Sequence, residues 1–216
     1  MDRAPPPRSG RKQKTSSDER RPSRRYVAVV AALLEYSAQT SLDGFIEDDG
    51  GGIDWGEPTE ELHRYWNAYA SQVEGFVMGR RLYEAMVPFW PEVAANPGES
   101  EVMDEFAEAW MSKPRFVASR TLRTVEGGCR LVPGELVSWA GELRRDGRGV
   151  WSVGNSEVAT ALLAAGMLDR IRLTLLPVVL GGGKPFLGPG AGRHALRAVE
   201  SRDFSGDVRM LLYEIG

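Results

Sequence analysis

The chain switches repeatedly between short apolar runs and stretches in which apolar residues recur every three or four positions. Leu62, Tyr65, Trp66, Tyr69 and Val73 follow helical spacing, so 60–73 reads as an amphipathic helix with Thr59 as N-cap and Glu60 and Glu61 in its first turn. Val102, Phe106 and Trp110 predict a helix near 99–112. Leu136, Trp139 and Leu143 predict another, and Val158, Ala161, Leu162 and Ala165 a further one. Between them stand runs that read as strands: Leu33–Thr40, GFVMG (75–79), RFVAS (115–119) and GVWSVG (149–154), with a helix opening at Arg80. The run RIRLTLLPVVL (170–180) is a long β-rich stretch whose Pro177 must sit at its edge or past a bulge. Two β-rich stretches, 196–204 and 208–215, joined by SGD, signal a hairpin. Strands alternating with helices and closed by an antiparallel hairpin predict an α/β sandwich around a mostly parallel sheet. Ser41–Pro58 is rich in Gly and Asp and has no period, which marks a long loop of the kind that carries function.

Composition adds boundaries. At 216 residues, 42% hydrophobic and 26% charged, the chain suits one globular domain with a tail. Residues 1–25 hold nine Lys/Arg and three Asp/Glu but almost no aliphatic side chain, so they read as a disordered basic tail ahead of a domain over 26–216. The rest holds 18 basic and 27 acidic residues, and an acidic body argues against nucleic acid as its partner. The apolar run YVAVVAALL (26–34) is too short to span a bilayer and passes into polar sequence with no small-residue cleavage pattern. It reads as the approach to the first strand, with no membrane partner. One cysteine, Cys129, and two histidines, His63 and His194, exclude a Cys/His zinc site and suit a reducing cytoplasm.

The unusual residues collect where strands end: SLDGFI (41–46) followed by GGGIDW (50–55), MGRRLYE (78–84), SRTL (119–122) and GNS (154–156). In open α/β sheets ligands bind outside the carboxyl ends of strands. Arg80 and Arg81 at a helix start oppose the helix dipole unless an anion lies nearby. The run LGGGKPF (180–186) fails the phosphate-binding-loop pattern, since Val178 stands where its first glycine belongs and Pro185 follows Lys184. It reads as a flexible turn lining a pocket. No Ser/His/Asp or Cys/His set is present, which disfavours nucleophilic hydrolysis. His63 reads as a residue of the polar helix face, and Tyr65, Trp66 and Tyr69 as core.

Taken together and in this order, SLDGFI…GIDW, VMGRRLYE, FVASRTL, VGNSEVATALLAAGMLDRIRLTLLPVVLGGGKPF and the closing hairpin resemble the dihydrofolate reductase-like superfamily. They are most similar to the reductase domain of the bifunctional riboflavin-biosynthesis deaminase-reductase and its stand-alone relatives. The resemblance implies a three-layer α/β sandwich and hydride transfer from NADPH to a pterin or aminopyrimidine. The activity would be of the 5-amino-6-(5-phosphoribosylamino)uracil reductase or dihydrofolate reductase type. It implies that Gly79, Arg80, Arg81, Ser119, Arg120 and Thr121 grip the adenosine phosphates. Gly154, Asn155 and Ser156, with Gly181 and Gly182, would support the rest of the cofactor. Ser41, Gly44, Asp54, Trp55 and Pro177 would line the substrate side, with Asp43 as the catalytic candidate. Relatives of this type commonly pair, so a homodimer is expected, and the apolar LTLLPVVL offers itself as the surface. A non-catalytic nucleotide-binding protein that keeps the fold is the alternative.

Two departures stand out. Asn155 takes the place of the second glycine of the family's Gly-Gly pair, and Ser37 stands where riboflavin-pathway reductases carry a lysine. Asn155 can cap the following helix, so Asn155→Gly is expected to tighten NADPH binding while lowering stability slightly. No carboxylate matches the folate enzyme's acidic helix residue, and Glu60 and Glu61 are the nearest candidates.

Overall fold

The computed structural model describes Met1 and residues 31–216. The basic segment 2–25 and positions 26–30 of the apolar run therefore lie outside the described residues. Among the described residues ten strands form: β1 (Leu33–Thr40), β2 (Phe45–Glu47), β3 (Gly75–Gly79), β4 (Arg115–Ala118), β5 (Arg130–Leu131), β6 (Val150–Gly154), β7 (Arg170–Leu175), β8 (Lys184–Pro185), β9 (Leu196–Phe204) and β10 (Val208–Ile215). The helices are α1 (Glu60–Gln72), α2 (Arg80–Met86), α3 (Trp90–Ala95), α4 (Glu101–Met111), α5 (Leu136–Asp146) and α6 (Ser156–Ala164), with a single 3₁₀ turn at Asp54–Gly56.

Eight strands make the central sheet in the order β5-β4-β3-β6-β1-β7-β10-β9. The first six run parallel, and β10 returns antiparallel beside β7 and pairs with β9. This is the expected α/β sandwich with a mostly parallel sheet and a C-terminal antiparallel hairpin. One face packs Leu34, Tyr36, Val77, Trp151, Val153 and Ile171 against Trp139 of α5 and Val158, Ala159 and Leu162 of α6. The other face carries two clusters, one around Leu62, Met210 and Leu212 and one around Met78, Trp110 and Val117. At about 25 cal/mol per Å² of apolar area removed from water, these clusters are the main source of stability.

The predicted helices and strands form within two residues of their expected bounds, and Thr59 caps α1 by accepting the Leu62 N–H at 3.3 Å. Two readings need correction. The long run after Arg170 stops being strand at Leu175, and exposed Pro177 lies beyond its end. Of LTLLPVVL, Leu173–Leu175 lie in β7, an interior strand between β1 and β10, and Leu176 is buried, while Pro177 and Val179 beyond the strand are exposed. His63 is half-buried against Phe106, with ring centroids 6.1 Å apart, rather than on the polar face, and burial holds its pKa below the ordinary value.

Candidate functional site

Because the six parallel strands share one direction, their carboxyl ends share one edge. In strand order that edge presents Ser119–Thr121 after β4, Gly79–Arg81 after β3, Gly154–Ser156 after β6, Ser41–Gly44 after β1 and Pro177–Lys184 after β7. The residues singled out along 140 positions of sequence thus come together in one row. Each turn is held by its own chemistry. Ser119 Oγ accepts the N–H groups of Thr121 (3.2 Å) and Leu122 (3.1 Å), which leaves Arg120 projecting and exposed. Arg80 and Arg81 open α2, also exposed, the first within 3.5 Å of Glu84 and the second within 3.4 Å of Glu47.

The turn after β1 is tied to the segment after β7. Buried Ser41 accepts the Phe45 N–H on its hydroxyl at 3.0 Å, and Gly44 takes a φ of 87°, the left-handed region that glycine adopts without strain. Leu42 N–H donates to the Val178 carbonyl at 2.7 Å. The Asp43 carboxylate accepts the N–H groups of Leu180 (3.1 Å) and Gly181 (2.7 Å). The neighbouring Ser41 hydroxyl, with those two amides, keeps the Asp43 carboxyl below the usual carboxylate range. That residue is therefore an ionised strap at neutral pH, engaged with backbone. Short strands β2 and β8 pair antiparallel just beyond, so the two glycine-rich loops form one flap. Gly183 has φ 129°, and a Cβ there would stand 2.0 Å from the Glu47 carbonyl, so no other residue fits. Trp55 sits in the 3₁₀ turn, donates to the Gly52 carbonyl at 3.1 Å and packs on the Leu62 cluster, while Asp54 is exposed beside it.

Lys184 is the residue that the glycine run hid. Its side chain is 11% exposed and its ammonium lies 3.4 Å from Glu47 and 3.1 Å from Glu157. Burial pushes the Glu157 carboxyl up, but its own backbone N–H and Lys184 together pull it below the ordinary value. With Arg81 on Glu47, this chain of alternating charge joins the flap to the starts of α2 and α6.

The joint between β6 and α6 is more closed than its sequence suggests. Asn155 caps α6 with its side-chain oxygen on the Glu157 N–H at 3.0 Å, and Ser156 Oγ donates to the Pro185 carbonyl at 2.8 Å. Its φ of 91° and ψ of 133° belong to backbone space that is essentially glycine's, where other residues carry on the order of 1–3 kcal/mol of strain. Its carboxamide lies over Gly79, whose Cβ would stand 2.9 Å from the Asn155 side chain; a Cβ on Gly154 would stand 2.3 Å from Leu82. These geometries reverse the sign expected from sequence. Asn155→Gly loses a few tenths of a kcal/mol of capping but relieves the strain, so stability should rise by about 1 kcal/mol, read as a higher urea midpoint at unchanged slope. A lower midpoint would show that the cap outweighs the backbone.

A second feature went unread in the sequence. Buried parallel strands are usually apolar on both faces. On the α1 side, however, β1 presents Glu35, Ser37 and Gln39, β7 presents Arg172 and Thr174, and β6 presents Ser152. The alternation in LLEYSAQT and RIRLTL was the available signal. Glu35, 1% exposed, accepts from Arg172 Nε at 2.6 Å, and Arg172 also donates to the Tyr65 hydroxyl and lies 4.8 Å from the Tyr69 ring centroid. Burial opposes the Arg172 charge, yet Glu35 outweighs it and holds the guanidinium above its ordinary pKa. Ser37, the lysine position, shares a 2.9 Å hydroxyl contact with Ser152 and is directly opposite Arg172. Toward the carboxyl edge the stripe ends at Gln39 and Thr174, register partners whose Oε1 and Oγ1 are buried without a hydrogen bond. The acidic candidates on α1 are engaged elsewhere: Glu60 with Arg64, and Glu61 with the Ser205 N–H.

Comparison with known proteins places this architecture. The RibD C-terminal domain family model matches residues 32–210. The uncharacterized protein YyaP of Bacillus subtilis is 27% identical over 174 residues, 80% of this chain and 89% of that protein. A putative riboflavin biosynthesis protein from Shewanella sp. PV-4 superposes with a TM-score of 0.67 at 24% identity, over 85% of this chain and 99% of that one. A Thermotoga maritima diaminohydroxyphosphoribosylaminopyrimidine deaminase/5-amino-6-(5-phosphoribosylamino)uracil reductase superposes with a TM-score of 0.58 at 16% identity, over 86% of this chain and 57% of that one. Among the described residues no helix is long and apolar enough to cross a membrane.

Proposed function

Since this chain belongs to the RibD C-terminal domain family, we propose that it is a riboflavin-biosynthesis-type reductase that uses NADPH to reduce a small polar heterocycle, a pterin or aminopyrimidine. The observation that carries this reading is the row of strand-end turns beside the polar stripe. The turns offer exposed cations for the phosphates of a dinucleotide. The stripe ends in unpaired polar atoms, Gln39 Oε1 and Thr174 Oγ1, that a heterocycle's amide or amine edge would satisfy.

The residues present fit the cofactor. Arg80, Arg81 and Arg120 project from neighbouring strand ends and can pair with phosphate by charge-assisted hydrogen bonds. The places that a Cβ would take on Gly79 and Gly154 are filled by the Asn155 side chain and by Leu82, so these two glycines serve the close packing of the turns. NADPH, when bound, supplies the hydride. The chain binds and orients, and its flap, strapped by Asp43 and Lys184, excludes water from the cleft. Asp43 has a positioning role in this reading, because its carboxylate is committed to two amides. Ser37 in the lysine position favours a substrate with less anionic character than a phosphoribosyl compound.

Titration of NADPH, followed by NADPH oxidation screened against pterins and aminopyrimidines, tests the reading. Oxidation with any of them supports a reductase. Tight binding without oxidation would favour a nucleotide-binding protein, and no binding would overturn both. Arg80 gives a sharper check. Its Glu84 pair is exposed and worth no more than about 0.5 kcal/mol, so Arg80→Ala should leave stability nearly unchanged. It should also raise the NADPH dissociation constant about tenfold, the loss of one charge-assisted phosphate contact. Equal dissociation constants would remove Arg80 from the site.

A further inference from the structure

We propose that the acidic groove along α4 is a docking surface for the chain's own basic segment, residues 8–25, which lies outside the described residues. α4 packs against both α1 and α3 and leaves an open channel on each side. The channel toward α3 holds about 790 Å³, and its apolar wall is Val93, Ala94 and Pro97 with Met111 of α4. The channel toward α1 holds about 500 Å³. Glu105 and Glu108 line both channels, and Glu101 and Asp104 join them on the α3 side.

The charge here is uncompensated. Residues 88–112 hold six carboxylates and no Lys or Arg. Among the described residues only Arg64 of α1 pairs with any of them, 3.0 Å from Glu101 and 3.4 Å from Glu105, and it is shared with Glu60. Lys113, at the end of the groove, donates to the Ser71 carbonyl at 2.8 Å instead. Asn67, 6% exposed, lines the α1 channel. Its Nδ2 donates to the Val102 carbonyl and to Glu105, while its Oδ1 is buried and receives no hydrogen bond from a described residue. Buried acceptors of this kind normally have a donor. Clustered carboxylates beside an apolar wall concentrate negative potential, and the wall suits the aliphatic stems of lysine and arginine.

The segment that fits is part of the same chain. Residues 8–25 carry eight Lys/Arg against two carboxylates. The attachment point is close as well. The described chain resumes at residue 31, just ahead of β1, on the edge where the parallel strands begin. α4 ends at Met111 and leads directly into β4, so that end of the groove lies on the same edge. Three strand spacings separate β1 from β4, about 15 Å at ~4.8 Å each. The six residues from Arg25 to 31 span up to about 20 Å, so Arg25 reaches the near end of the groove and the earlier cations reach along it. So short a connection keeps the segment at an effective concentration on the order of mM, where individually weak ion pairs suffice.

Zero-length cross-linking of the full chain tests this. A carbodiimide joins a lysine amine to a carboxylate as an amide, taking up the water released, and it joins only groups already in contact. Lys12 and Lys14 are the two lysines of the segment. At least half of their links should fall on Glu101, Asp104, Glu105 and Glu108. These are four of the 27 acidic residues beyond residue 25, so an even spread places only about one link in seven there, and a share near that value would overturn the proposal. Glu108→Arg is an exposed change, and its fold is checked by circular dichroism. It should lower the links at the other three carboxylates at least threefold, and unchanged links there would overturn the proposal too. In an equal mixture of ¹⁵N-labelled and unlabelled protein, the links should stay within one isotopic species. Links joining labelled to unlabelled chains would mean that the groove takes the segment of another copy, and would overturn docking within the chain.

Discussion

Glu35→Gln is expected to cost about 3–5 kcal/mol of stability, because it strands the Arg172 guanidinium in the sheet without its counter-charge. Glu35 is 1% exposed and Arg172 12%, so water cannot replace the lost partner. Such a loss is a large part of the total stability of a domain. Urea unfolding measures it. The pair as a whole contributes much less: Glu35→Leu/Arg172→Met, which replaces both charges with apolar side chains, should fall within about 2 kcal/mol of the wild type. Arg172→Met alone leaves the Glu35 carboxylate buried without its counter-charge and should cost about as much as Glu35→Gln. A single substitution costing less than about 1 kcal/mol would show that the pair is hydrated.

This pair also shows where the sequence was legible. Long periodic segments such as 60–73 and 149–165 specified their elements because burial of one face is all they require, and the row of strand-end turns followed from strand direction. The flap did not. β2 and β8 have three and two residues, and their pairing depends on Gly183 passing against the Glu47 carbonyl, a tertiary contact with no local period. α3 was hidden because Pro91 sits in its first turn, where proline is tolerated, while the surrounding sequence reads as loop. Lys184 sat in a glycine run that drew attention to phosphate, though its partners are the distant Glu47 and Glu157. Asn155 was recognised as a departure, but its effect depends on a φ that no residue name reveals. The polar stripe was readable in the alternation of two central strands, which a buried parallel sheet does not call for unless something polar lies against it.

Arg115→Met is expected to cost about 3 kcal/mol and to loosen the Ser119–Thr121 turn as well. Arg115 is 4% exposed, and its contacts are carbonyls and a ring rather than a carboxylate. Nη1 donates to the carbonyls of Trp110 (2.6 Å), Met111 (2.8 Å) and Lys113 (3.0 Å), Nη2 donates to Gly127 (2.9 Å), and the guanidinium lies 4.5 Å from the Trp110 ring centroid. The last carbonyls of a helix carry the negative end of its dipole, so α4 supplies the counter-charge that no acidic side chain provides. Methionine keeps the stem and removes all four hydrogen bonds, leaving buried carbonyls unpaired at about 1–3 kcal/mol for the worst placed. The Gly127 bond matters for the candidate site, since it anchors the far end of the loop that begins at Ser119. Arg115→Lys tests that separately. Lysine can still cap α4 but cannot also reach Gly127, so it should recover much of the stability while amide exchange across 119–130 stays fast. If exchange in that loop matches the wild type in both variants, Gly127 is not its anchor. If Arg115→Met unfolds at the wild-type urea concentration, the guanidinium is not what closes α4.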